Sequence, residues 1–145
     1  MILVQRILFL KNVPLFSTMP PDTLAWVAGA AEETSCPSGD TIFEKGSEGD
    51  SMYVIADGSV RIHDRDKTLA SLSQGAFFGE LSILDGETRS AAATAETDCL
   101  LLVIRQDSFR RILSKQFDVT ENLLKILVRR IREQSTPLQQ EKNEN

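Results

Sequence analysis

The chain has 145 residues, 41% hydrophobic and 26% charged, which suits one globular domain with its own core. A formal net charge of -5 and a pI near 4.9 argue against nucleic acid as the main partner. Two cysteines, Cys36 and Cys99, are too few and too scattered for a disulfide framework and read as buried thiols of a reducing compartment; a single histidine, His63, argues against a histidine-ligated metal.

The opening stretch MILVQRILFLKNVPLF lacks a basic n-region and a small-residue cleavage site, and Arg6 and Lys11 interrupt it, so it is not a secretion signal. No run reaches the roughly 18 apolar residues of a membrane span, and a cytoplasmic location is expected. Residues 2–11 predict a helix with Leu3, Ile7 and Leu10 on one face, ended by Pro14. Pro20 and Pro21 suit the start of a second short helix over 21–30, stopped near Gly29.

From 32 to 104 the period shortens. TIFE (41–44), SMYVIA (51–56), SVRIHD (59–64), LASL (69–72), AAATA (91–95) and CLLLVI (99–104) predict brief strands, the last apolar throughout and hence central. Glycine-bearing turns separate most of them, and the even spacing predicts a small antiparallel β-barrel (jelly roll) flanked by helices, an α+β fold. Phe77 and Phe78 are adjacent in a strand-like stretch, so one should point inward and one outward. His63 is expected to be exposed and without a role.

After 105, Phe109, Ile112 and Leu113 form a short helical face, and Leu124, Leu127, Val128 and Ile131 follow at helical spacing behind Asp118 and Glu121. The expected division is a helical segment 1–30, a barrel 32–104 and C-terminal helices 106–133, together one domain over 1–134. A polar, disordered tail at 135–145 should follow, kept from continuing the helix by Pro137. Residues 105–132 hold eight Arg or Lys against three acidic groups, a solvated helix face or a surface for an anionic ligand or acidic partner.

The segment FFGELSILDGETRSAAA (77–93) carries the chemistry. Gly79 lets the backbone approach a ligand, and ELSIL (80–84) can form one helical turn whose free N–H groups make a small anion site. Arg89 beside that turn pairs well with one phosphate, because its fork and the amides engage different oxygens. A carboxylate repels phosphate, so Glu80 should instead accept a hydrogen bond from a sugar hydroxyl. Ser90 offers an N–H and a hydroxyl, and Ala91, Ala92 and Ala93 leave room. The ligand so inferred is a nucleotide with one phosphodiester. Arg89 could otherwise be a rim salt bridge to Asp85 or Glu87, and Glu80 a helix-start carboxylate.

These motifs resemble the cyclic-nucleotide-binding domain of catabolite-activator-type regulators, kinase regulatory subunits and gated channels, over roughly residues 8–134. The turn pattern is GDTIFEKGSEGDSMYVIADGSV (39–60), with Gly39, Gly46, Gly49 and Gly58 at its corners; the phosphate-binding cassette is FGELSILDGETRSAA (78–92). The resemblance implies that Glu80 takes the ribose 2′-hydroxyl and Arg89 the cyclic phosphate, with Gly79 and amides near Leu81, Ser82 and Ser90 completing the site. Thr88 stands where many relatives have proline. An alanine after the arginine goes with adenine and a threonine with guanine; Ser90 lies between, and the reading leans to cAMP with cGMP left open.

No catalysis is implied, since one histidine and no clustered metal carboxylates leave a phosphodiesterase without machinery. The resemblance implies a sensor whose C-terminal helices move over the nucleotide and so regulate an attached or partner effector domain, with a homodimer left open. One of Arg129, Arg130 or Arg132 could reach the ligand. The other reading is a scaffold or interaction domain of the same fold that no longer binds nucleotide. No residues remain after 134 for a helix-turn-helix, so a free-standing sensor or a domain cut from a larger protein is expected.

Overall fold

The structure is a computed structural model that describes residues 1–144, with side chains described through residue 134. Two helices, α1 (Leu3–Lys11) and α2 (Pro21–Ala30), open the chain. Eight strands follow: β1 (Glu32–Cys36), β2 (Thr41–Phe43), β3 (Ser51–Asp57), β4 (Val60–Asp64), β5 (Lys67–Leu72), β6 (Phe77–Phe78), β7 (Ala92–Ala95) and β8 (Cys99–Arg105). A short helix, α3 (Glu80–Asp85), lies between β6 and β7, and α4 (Gln106–Lys115) and α5 (Phe117–Glu144) close the chain.

The strands form two four-stranded antiparallel sheets, ordered β1-β8-β3-β6 and β2-β7-β4-β5. The expected closed barrel is therefore corrected to two open sheets. The bordering strands explain why. β6 has two residues and β2 three, too few to carry a ladder across from one sheet to the other. Glycine corners occur equally in sandwiches and barrels, so they did not discriminate.

Two apolar clusters follow from this layering. Ile55, Val60, Phe78, Ala93, Ala95, Cys99 and Leu101, from both sheets, form one. The other joins α1, α2, α4 and α5 to the sheet of β3 and β8, through residues such as Leu10, Phe16, Val54, Phe77, Leu102, Phe109 and Val119. Adjacent residues of β6 do point to opposite faces, but both faces are covered: Phe77 enters the helical cluster and Phe78 the inter-sheet one, each 3% exposed. Neither points outward. His63 is half-buried, with its ring nitrogens 2.8 Å from the Arg65 carbonyl oxygen and 2.7 Å from Thr94 Oγ1.

Helix α1 buries Leu10 and is tied to α2 by Arg6, which donates to the carbonyls of Ala28 (3.2 Å) and Ala31 (2.8 Å). Helix α5 is continuous over Phe117–Glu144, longer than the expected element, and passes Pro137. An interior proline removes its own N–H bond and crowds the carbonyl four residues back, while the flanking Gln, Glu and Lys are good helix formers. The expected disorder at 135–145 falls outside the residues whose side chains are described. Among the described residues, no helix is long and apolar enough to cross a membrane.

Candidate functional site

The site lies where β6 turns into α3. Gly79 caps α3 in the left-handed region, at φ 86°. A side chain would be strained there, and its Cβ would lie 2.9 Å from an Arg89 terminal nitrogen. The turn throws Glu80 inward: it is 2% exposed although charged, and Ser82 is 6% exposed. Leu81 and Ser90 are exposed, so their side chains are not gathered into the hollow with Glu80 and Arg89.

Arg89 reaches the same turn from the other side. Its backbone is fixed first: Gly46 N–H donates to the Arg89 carbonyl and Arg89 N–H to the Ser47 carbonyl, both at 2.8 Å. Its guanidinium, 4% exposed with the residue, donates from Nη1 to the Gly79 carbonyl (2.6 Å) and from Nη2 to the Ser51 carbonyl (2.8 Å). The cation rests on the Phe43 ring, 4.2 Å from its centroid. Phe43 in turn packs on Tyr53 and Phe78, which stack at 5.2 Å. Nε of Arg89 is buried without a hydrogen-bond partner, and no carboxylate lies within ion-pair distance of the guanidinium among the described residues. Asp85 instead accepts from the Glu87 N–H.

Gly49 has a part the sequence does not disclose. Unlike Gly39, Gly46 and Gly58 it does not have positive φ. Its bare Cα allows close approach instead: a Cβ there would fall 2.3 Å from Arg89 Nε and 2.4 Å from Cζ.

The C-terminal helix completes the arrangement. Arg130, one of the three candidate arginines, reaches the cassette, donating to Glu80 Oε1 and to the Phe77 carbonyl, both at 2.9 Å, with its cation 4.5 Å from the centroid of the Phe77 ring. Arg110 of α4 donates to the Ile83 carbonyl at the far end of α3 (3.0 Å). Both C-terminal helices thus hold α3. Elsewhere in 105–132, Arg105 pairs with Glu32 and Lys125 with Glu121 at the surface, and Arg111 lies over the Trp26 ring.

Burial raises the Glu80 carboxyl above the usual carboxylate range, opposed first by Arg130 and then by its own backbone N–H and Arg89. Burial also lowers the Arg89 guanidinium from its ordinary value. The alanines that follow are buried, Ala91 at 7%, Ala92 at 5% and Ala93 at 0%. Val60, Ile62 and Leu72 lie in the inter-sheet cluster.

A two-sheet domain that buries an unpaired cation against the start of a short helix, and ties the neighbouring carboxylate to a terminal helix, is a ligand-responsive binding module. The chain belongs to the cyclic nucleotide-binding domain family, whose sequence profile matches residues 33–116. It is 35% identical over 113 residues to a cAMP-dependent protein kinase regulatory subunit of Aspergillus fumigatus, covering 77% of this chain and 27% of that protein. Among solved structures it is similar to the Catabolite Activator Protein of Thermus thermophilus, with a TM-score of 0.77 and 32% identity, over 89% of this chain and 63% of that one. It is also similar to the regulatory subunit of a cAMP-independent protein kinase A from Trypanosoma brucei, with a TM-score of 0.74 and 26% identity, over 83% of this chain and 48% of that one. The chain thus spans between about a quarter and two thirds of the length of these relatives. Like the regulatory domains it matches, it is a binding domain and not an enzyme.

Proposed function

We propose that the domain is a cytoplasmic cAMP sensor, in which Arg89 takes the cyclic phosphate, Glu80 the ribose 2′-hydroxyl, and amides at Leu81, Ser82 and Ser90 the remaining phosphate oxygens. The observation that carries this reading is the Arg89 guanidinium, 4% exposed and without a carboxylate partner among the described residues. An isolated buried charge is costly, and two carbonyls and a ring face offset that cost only in part. A single anion delivered to the hollow removes the imbalance. A triphosphate brings more charge than one guanidinium matches.

Glu80 supplies the coupling. One of its oxygens accepts from Arg130, so a sugar hydroxyl on the same carboxylate shares or displaces that bond. Ligand binding and the seating of α5 are thereby linked through one group, and nucleotide shifts α5 by its differential affinity for the two seatings. The moving helix then regulates an effector domain or subunit. Cyclic GMP is the competing ligand, because the Ser90 hydroxyl can meet a guanine amino group.

Titration calorimetry with cAMP and cGMP tests the assignment. Arg89→Ala should lose about 2–5 kcal/mol of cAMP affinity, the usual cost of truncating one partner of a buried charged pair. Unchanged affinity in a folded variant removes Arg89 from the site. The second reading, a domain that no longer senses cAMP, has in its favour that the Trypanosoma brucei relative is described as cAMP-independent. No heat of binding and no thermal shift with either nucleotide would select it.

A further inference from the structure

The two cysteines, 63 positions apart in sequence, are brought directly opposite each other where β1 ends and β8 begins: Cys36 is the register partner of Cys99. Residues so paired in an antiparallel ladder have Cα atoms about 4.5–5.5 Å apart and Cβ atoms on the same face of the sheet. That separation lies inside the roughly 4.4–6.8 Å window that a disulfide spans. Both thiols belong to the inter-sheet cluster, Cys99 as a buried member at 5% exposure and Cys36 as a partly exposed neighbour. The ladder between β1 and β8 has no register shift that would splay them.

From this juxtaposition we propose that Cys36 and Cys99 form a reversible intramolecular disulfide, and that low-molecular-weight disulfides such as glutathione disulfide are the oxidant. Cys36, the more accessible thiol, loses its proton and attacks one sulfur of glutathione disulfide, releasing one glutathione thiolate. The Cys99 thiolate then attacks the Cys36 sulfur of the mixed disulfide and releases the second glutathione. Two protein thiols are oxidised, two glutathione thiols are produced, and the two protons pass to them.

Each thiol now faces a carbonyl: Cys36 Sγ lies 3.8 Å from the Asp40 oxygen, and Cys99 Sγ 3.2 Å from those of Ser59 and Thr97. Closing the bond therefore releases weak contacts only. Burial, then Asp40 and Cys99, raise the Cys36 thiol above its ordinary value, so exchange should be slow at neutral pH and faster in mild alkali. The bond would staple β1, an edge strand, at the corner where Ser38 and Gly39 are already bonded to Asp98, Glu96 and Ala95.

The test is incubation of the full chain with glutathione disulfide in mild alkali, followed by intact mass and non-reducing peptide mapping. A monomer lighter by two hydrogens, a peptide joining positions 36 and 99, and a thermal midpoint that rises and is reset by dithiothreitol are expected. Cys36→Ser and Cys99→Ser should each lack the cross-link and the rise. A wild-type chain that stops as a glutathione adduct on Cys36, stays a dithiol, or cross-links between two chains overturns the proposal.

Discussion

Replacing Gly49 by alanine moves Arg89 without removing it. The added methyl carbon would sit 2.3 Å from Nε and 2.4 Å from Cζ of the guanidinium. A comfortable contact is about 3.5 Å or more, so the cation must retreat by roughly 1 Å. That shift breaks or stretches the bonds to the Gly79 and Ser51 carbonyls, 2.6 and 2.8 Å long, and lifts the cation from the Phe43 ring. Hydrogen bonds from a charged donor contribute about 1.5–3 kcal/mol each. A loss of about 2–4 kcal/mol of folding stability follows. The phosphate site loses its geometry too, weakening cAMP binding by close to a hundredfold, or about 2.7 kcal/mol. Urea unfolding and titration calorimetry read the two effects separately. Gly39→Ala is the control, because it introduces a strained φ of +89° with no heavy atom within 4 Å; it should lose about 1–2 kcal/mol of stability and leave affinity unchanged. Wild-type affinity in Gly49→Ala, or an equal loss of affinity in Gly39→Ala, refutes the steric argument.

Arg130→Ala strands Glu80 as a buried carboxylate. Because the Arg130 side chain is itself 32% exposed, the cost should fall between those of exposed and fully buried pairs, about 1–3 kcal/mol in urea unfolding. A double-mutant cycle with Glu80→Gln should show coupling above about 1 kcal/mol, and additivity within about 0.5 kcal/mol would show that the pair does not link α5 to the cassette. The pH dependence of cAMP affinity follows from the raised Glu80 carboxyl. A ribose hydroxyl needs the carboxylate as acceptor, so affinity should fall with acidity from above the ordinary 4.5 rather than at it, and Glu80→Gln should flatten the profile. For stability the sign reverses: a carboxyl whose folded pKa is raised favours the folded state below its unfolded pKa, and that contribution is lost as pH rises through the folded value.

Much of this was legible in the residues, for reasons that also explain the misses. Alternation and apolar runs disclosed β3, β4, β7 and β8 because burial imposes them. The strand β1, Glu32–Cys36, carries four exposed residues and no apolar alternation; it is a strand because the open edge of β8 needs a partner, which is tertiary information. Barrel closure was inferred from corners that two sheets share with a barrel. The cassette stood out since a glycine, a glutamate and an arginine at that spacing serve a common end. Arg130 could not be chosen over Arg129 or Arg132, because the rotation of α5 about its axis is set by packing. Gly49 read as a corner, and its close approach to Arg89 exists only once the 39 intervening residues are folded.

A structure of the chain with cAMP addresses the central claim most directly. The account predicts the phosphate within hydrogen-bonding distance of the guanidinium at position 89 and the 2′-hydroxyl on the carboxylate at position 80. Nucleotide bound elsewhere, or a phosphate that leaves that guanidinium on the carbonyls of Gly79 and Ser51 alone, would contradict it.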